Sequence, residues 1–107
     1  MILEMASSAL KENTWYSGIV TNYALSKDNS KLIIYVVFNK EPDIEYIKSI
    51  YISNSPNSPL GILAARLRIY NDDGNIDTEL LKGLSVKATL KKAPNDILYI
   101  NKLKLND

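Results

Sequence analysis

The side chains of this chain with binding chemistry to offer are its rings and its cations. Seven Tyr, one Trp and one Phe supply flat apolar surfaces, and Lys plus Arg number 13. Flat rings stack on planar groups, and spaced cations neutralise phosphates; unpaired polynucleotides are held by that combination. The missing residues are equally informative. There is no cysteine and no histidine, which removes thiolate nucleophiles, imidazole bases, the Ser-His triad and the softer metal ligands together. Glycine stands only at 18, 61, 74 and 83, so neither a phosphate-cradling loop nor a dinucleotide fingerprint can be written. A carboxylate-pair hydrolase needs two acids that meet in space, and nothing selects a pair. Binding is expected; catalysis and a cofactor are not.

One stretch imitates a metal site. Asp73, Asn75, Asp77 and Glu79 place oxygens at alternate positions, as a calcium loop begins. The match then fails, because Thr78 occupies the turn-glycine position and Leu84 stands where the closing glutamate belongs. A solvated polar loop is expected there, with no metal.

Charge narrows the partner. Lys plus Arg at 13 against Asp plus Glu at 12 leaves a net charge of +1, far from the excess of a duplex-coating protein. The lysines are not evenly spread, however. Lys82, Lys87, Lys91, Lys92, Lys102 and Lys104 are opposed over residues 81–105 by Asp96 alone. The longest apolar run, Leu32–Phe38, falls well short of the ~20 residues of a spanning helix. Glu4 sits where a signal peptide would be basic. A cytoplasmic protein without membrane contact is expected, as a single domain over 1–107 with 1–13 a short helix or a loose arm.

The elements follow from pattern. Thr14–Leu25 is rich in β-branched and aromatic residues and reads as a strand, with Gly18 suggesting a bulge where the strand bends. Ser26–Ser30 is a turn by composition, and Lys31–Asn39 is a second strand. After a break at Glu41-Pro42-Asp43, Ile44–Ser53 is a third strand. Ser58 then Pro59 open a helix whose Leu60, Leu63, Ala64 and Leu67 share one face, ending near Asn71. Beyond a loop over 71–79, Leu84–Lys92 alternates strictly, and Ile97–Leu105 follows a turn. Three strands, a helix and two strands make a mainly β chain, in the element order of a five-stranded OB-fold barrel with its helix between strands three and four.

That frame places the rings and cations. On the second strand Leu32, Ile34, Val36 and Phe38 form the more apolar row and are expected inward, which turns Tyr35 outward as the leading stacking platform. Tyr51 accompanies it on the third strand, and Trp15 on the first, where a bulge at Gly18 would separate Trp15 from Tyr23. Lys87 and Lys91 point outward from the fourth strand, and with Lys92, Lys102 and Lys104 they face phosphates. Lys27, Lys31 and Lys48 contribute from the first turn and the third strand, while Arg66 and Arg68 face solvent. The expected binding set is Trp15, Tyr35, Lys48, Tyr51, Lys87, Lys91 and Lys92.

Several stretches together resemble a known group. They are Leu10-Lys11-Glu12-Asn13-Thr14-Trp15-Tyr16, the lysine-bearing turn and apolar strand after it, and the Ser/Asn loop entering a Leu-rich helix. Leu81-Lys82-Gly83-Leu84-Ser85-Val86-Lys87 and Tyr99-Ile100-Asn101-Lys102-Leu103 complete the pattern. Over about residues 10–105 the chain is similar to small single-strand-DNA-binding-like proteins of phages and mobile elements. The resemblance implies an OB-fold, a partner in single-stranded DNA (or RNA) bound with low sequence specificity, and a role in replication or recombination. Asn13 departs from the glycine often found there, and Leu105-Asn106-Asp107 is not an acidic partner-recruiting tail. The low net charge favours a homo-oligomer for tight coating. It also sustains a second expectation: a protein-interaction or inhibitor module on the same small barrel, without nucleic-acid binding.

Overall fold

A computed structural model describes residues 10–106. Five strands run in chain order as β1 (Tyr16–Leu25), β2 (Lys31–Phe38), β3 (Glu41–Tyr51), β4 (Ser85–Lys92) and β5 (Leu98–Leu105). The helix α1 (Pro59–Leu67) and a 3-10 turn (Thr78–Leu81) lie between β3 and β4. All five strands join one antiparallel sheet in the order β3-β2-β1-β4-β5. The expected count and element order are therefore met.

β2 sets the faces. Leu32, Ile34, Val36 and Phe38 are buried and the residues between them are half-buried, the period-two pattern of a strand with one face on a core. Val20, Tyr46, Ile50, Val86, Ala88, Leu90, Ile100 and Leu103 meet them from the other strands. From α1, Leu60, Leu63, Ala64 and Leu67 close the same core.

Gly18 acts otherwise than the sequence suggests. The bulge in β1 lies between Val20 and Asn22, not at Gly18. Its extra residue, Thr21, lets Val20 and Tyr23 both face the core although they are three residues apart. Gly18 instead provides room. A Cβ there would sit 2.5 Å from the Val37 carbonyl oxygen and 3.0 Å from the Phe38 ring. Phe38 in turn packs edge-on against Tyr16 at 6.1 Å and tilted against Tyr46 at 5.4 Å between centroids.

Three boundaries differ from the sequence reading. Glu41-Pro42-Asp43 is not a break. Phe38 pairs with Glu41 across the Asn39-Lys40 turn and Val37 with Glu45, so residues 42–44 bulge outward, where proline has no ladder bond to lose. The helix stops at Leu67 rather than near Asn71, because Arg68 turns left-handed (φ 57°) and its N–H donates to Ala64 and Ala65. The loop over 71–79 holds a 3-10 turn from Thr78, capped by the Asp77 carboxylate on the Glu79 N–H at 3.1 Å. Tyr23 donates to Glu79 and Lys82 covers the Tyr23 ring at 5.5 Å, tying that turn to β1.

The sheet curls until its outside edges, β3 and β5, lie side by side beneath α1. No backbone ladder joins them among the described residues, so the sheet is not closed into a barrel. One side chain spans the gap: Lys48 Nζ donates to the Asn101 carbonyl at 2.8 Å. Of the opening stretch, residues 1–9 lie outside the described part. Leu10 is buried and the Asn13 N–H donates to Leu90 at 3.0 Å, beside β4.

Gly18→Ala should lower unfolding free energy by about 1–3 kcal/mol through overpacking, read by denaturant titration. In the β1–β2 turn, Asp28 accepts from Ser26 Oγ (2.8 Å), Ser30 Oγ (2.6 Å) and the Ser30 N–H (3.1 Å). The serine hydroxyls, Ser30 first, hold its carboxyl down to about 2. This stabilisation is complete above the ordinary carboxylate range and is lost as pH falls through about 2. Carboxyl carbon shifts should titrate with that midpoint; a midpoint near 4 would contradict the cradle.

Candidate functional site

The outer face of the sheet divides into two regions of different chemistry. On β1, β2 and β3 it is uncharged in its middle, with apolar side chains around Tyr35 interrupted by Asn22 and Ser49. Tyr35 is half-buried between Asn22 and Ile47, with Ile33 and Val37 flanking it along β2. Ile19, beside Val37, and Ile47 remain 47% and 40% exposed. Charge appears only at the ends of this strip. Glu45 accepts from Thr21 Oγ1 at 2.6 Å at one end, and Lys31 lies 4.8 Å from the ring of its cross-strand partner Tyr51 at the other.

On β4 and β5 the outer face is cationic. Lys87 pairs directly with Lys104, and Lys104 Nζ stands 4.3 Å from the ring centroid of Trp15. Lys102 lies two residues along β5 from Lys104, opposite Thr89, and Lys91 pairs with Tyr99. Among the described residues none of Lys87, Lys91, Lys102 and Lys104 meets a carboxylate; Lys82 and Glu79, at 3.9 Å, form an exposed pair elsewhere. Like charges directly opposite on neighbouring strands destabilise a sheet. A Lys87–Lys104 pair therefore leaves a cost that an anion between the two would remove.

The sequence-predicted residues are consequently dispersed. Trp15, Lys87 and Lys91 share the β4–β5 side, joined by Lys102 and Lys104. Tyr35 lies roughly 15–20 Å from Lys87, about five residues along the sheet and two strands across. Tyr51, 68% exposed, is at the far end of the apolar strip. Lys92 is exposed and lines a different cleft, with Leu10, Ile44 and Ile97. Lys48 stands apart from both regions of the outer face. It pairs with the inward-facing Ile34, so its stem runs inward and its ammonium bridges to Asn101, with burial lowering its pKa below the ordinary lysine range. The signal was its two-residue spacing from Tyr46 and Ile50, both buried.

Other expectations find structural reasons. In the calcium-like stretch the Asp77 carboxylate caps the 3-10 turn and Glu79 accepts from the Tyr23 hydroxyl, while Asn71 Oδ1, just before the stretch, accepts from the Asp73 and Asn75 N–H groups at 3.0 Å. Among the described residues no helix is long and apolar enough to cross a membrane. Two features escaped the sequence reading. The cation over Trp15 comes from β5, 89 residues away, and no local pattern could supply that pairing. Arg66, expected in solvent, is exposed but also lines a cleft with Lys48 and Lys102. No protein-family model matches the chain, and comparison with curated proteins finds no match.

Trp15 is the single tryptophan, so its fluorescence reports this region alone. Lys104→Ala should change its emission while lowering stability by no more than about 1 kcal/mol, the value of an exposed cation–π contact. Unchanged emission would show that the ammonium does not sit over the ring.

Proposed function

We propose that this chain holds single-stranded nucleic acid, DNA first and RNA by the same chemistry, along the outer face of β4 and β5. The carrying observation is the Lys87–Lys104 pair beside Trp15, with no carboxylate partner among the described residues. Trp15 stacks a base, and Lys87, Lys91, Lys102 and Lys104 neutralise successive phosphates. Stacking accepts every base because every base has a π-face, so little sequence preference follows. Net charge of +1 makes each chain a modest binder, and several copies on one strand supply avidity. Support for an OB-type fold comes from the strand order β3-β2-β1-β4-β5 with its helix after β3. In this reading it is an OB barrel with its last ladder open. The role in phage or mobile-element replication or recombination rests on the resemblance of the sequence, and the cytosolic setting on its short apolar runs and the Glu4 near its start.

The apolar strip favours a second reading. Ile19 and Ile47, with Ile33, Tyr35 and Val37 around them, are the surface of a protein-docking or inhibitor module. The readings separate by salt and by position. Oligo-dT should quench Trp15 with an affinity that falls as salt rises, at a log–log slope of about −0.7 per phosphate engaged. Lys87→Ala should weaken binding and reduce that slope by about 0.7, whereas Ile47→Lys should leave affinity no weaker. No quenching at tens of micromolar protein in low salt would leave the docking module as the better account.

A further inference from the structure

The two sheet edges that meet without pairing leave a cleft between β3, β5 and α1, with a volume of about 320 Å³. Its floor is apolar, from Ile50, Leu63 and Leu103. Its polar lining includes three cations from three elements: Lys48 of β3, Arg66 in the last turn of α1 and Lys102 of β5. Among the described residues no carboxylate lines it. Lys48 spends one N–H on the Asn101 carbonyl, and its other two have no protein acceptor among the described residues. Asn101 is itself the extra residue where the β4–β5 register slips, between the Thr89–Lys102 and Leu90–Ile100 pairs. Bulges of this kind re-aim groups beside functional sites.

Lys48 is half-buried against the apolar floor, and Arg66 and Lys102 stand exposed at its rim. The arrangement suits an anion with several oxygens, because the planar fork of Arg66 matches phosphate while the ammonium groups act as point charges. We infer that the β3–β5 cleft is a phosphate-binding site formed by Lys48, Arg66 and Lys102. Lys102 belongs both to this cleft and to the outer lysine row. A strand stacked on Trp15 and following Lys104 to Lys102 therefore delivers a backbone phosphate to the cleft; this step rests on the reading given above. A free phosphate compound is the other source of the same chemistry.

Inorganic pyrophosphate is the probe, with binding measured by thermal shift at constant ionic strength and by competition against oligo-dT. Pyrophosphate should raise the melting temperature of the wild-type chain. Arg66→Ala, on an exposed helix position, should weaken pyrophosphate about tenfold, the scale of one charge-assisted contact. It should also weaken oligo-dT and reduce its salt slope by about 0.7. Lys40→Ala, which removes an exposed cation from the β2–β3 turn, should change neither. The site is overturned if pyrophosphate fails to stabilise the wild type at tens of millimolar, or stabilises Arg66→Ala equally. Arg66-dependent pyrophosphate binding that oligo-dT does not displace upholds the site for a free phosphate compound and removes the strand path. Oligo-dT binding that requires Lys87 and ignores Arg66 upholds the outer row and overturns the strand's entry into the cleft.

Discussion

The sheet curls far enough for its edges to meet but not far enough for them to pair, and much of the molecule answers to that. An open sheet edge exposes unpaired N–H and C=O groups that attract other strands. Here the edges of β3 and β5 face each other instead of solvent, and α1 lies across both. Lys48 reaches over the gap to the Asn101 carbonyl. The curl comes from the inside: the small residue Gly18 admits the Phe38 ring against β1, and the bulge at Thr21 tightens the strand's twist. Leu32, Ile34, Val36 and Phe38 then have one continuous interior to fill.

Curling also distributes the outer surface. Because side chains alternate across each strand, every inward apolar row leaves an outward row of different character. β2 carries Ile33, Tyr35 and Val37 outward, and β4 with β5 carry lysines. The two surfaces sit on opposite wings of one sheet, so a near-neutral chain holds a cationic region without a large net charge. Within that region the directly opposed Lys87 and Lys104 leave a like-charge cost, which the contact of Lys104 with the Trp15 ring offsets in part. A bound polyanion would lower that cost.

Much of the frame was legible in the sequence, and the reasons are local. The alternation of Leu32 to Phe38 and of Leu84 to Leu90 declares strands with one buried side, and Ser58-Pro59 declares a helix start. Boundaries set by single backbone conformations were not legible. Arg68 adopts a left-handed turn that usually falls to glycine, and Pro42 sits in a bulge that looks like a break. The candidate site was legible in its residue types and illegible in its assembly. Lys87 and Lys91 lie on the outer face as their alternation implied, and Trp15 joins them there, but Tyr35 and Tyr51 belong to the other wing. Which wing a strand joins depends on sheet order, and residue spacing does not encode it. Lys48 shows the limit most plainly: its spacing from Tyr46 and Ile50 marks the face it shares, but nothing local marks the Asn101 carbonyl it meets on the other edge.

The most direct test of the central claim is amide and indole chemical-shift mapping of the ¹⁵N-labelled chain during titration with oligo-dT. The account predicts that the largest shifts fall on the Trp15 indole and on the amides of Lys87, Lys91, Lys102 and Lys104, with Ile19, Ile33, Tyr35 and Ile47 little moved. Shifts concentrated on the latter group, with the Trp15 indole unmoved, would contradict it.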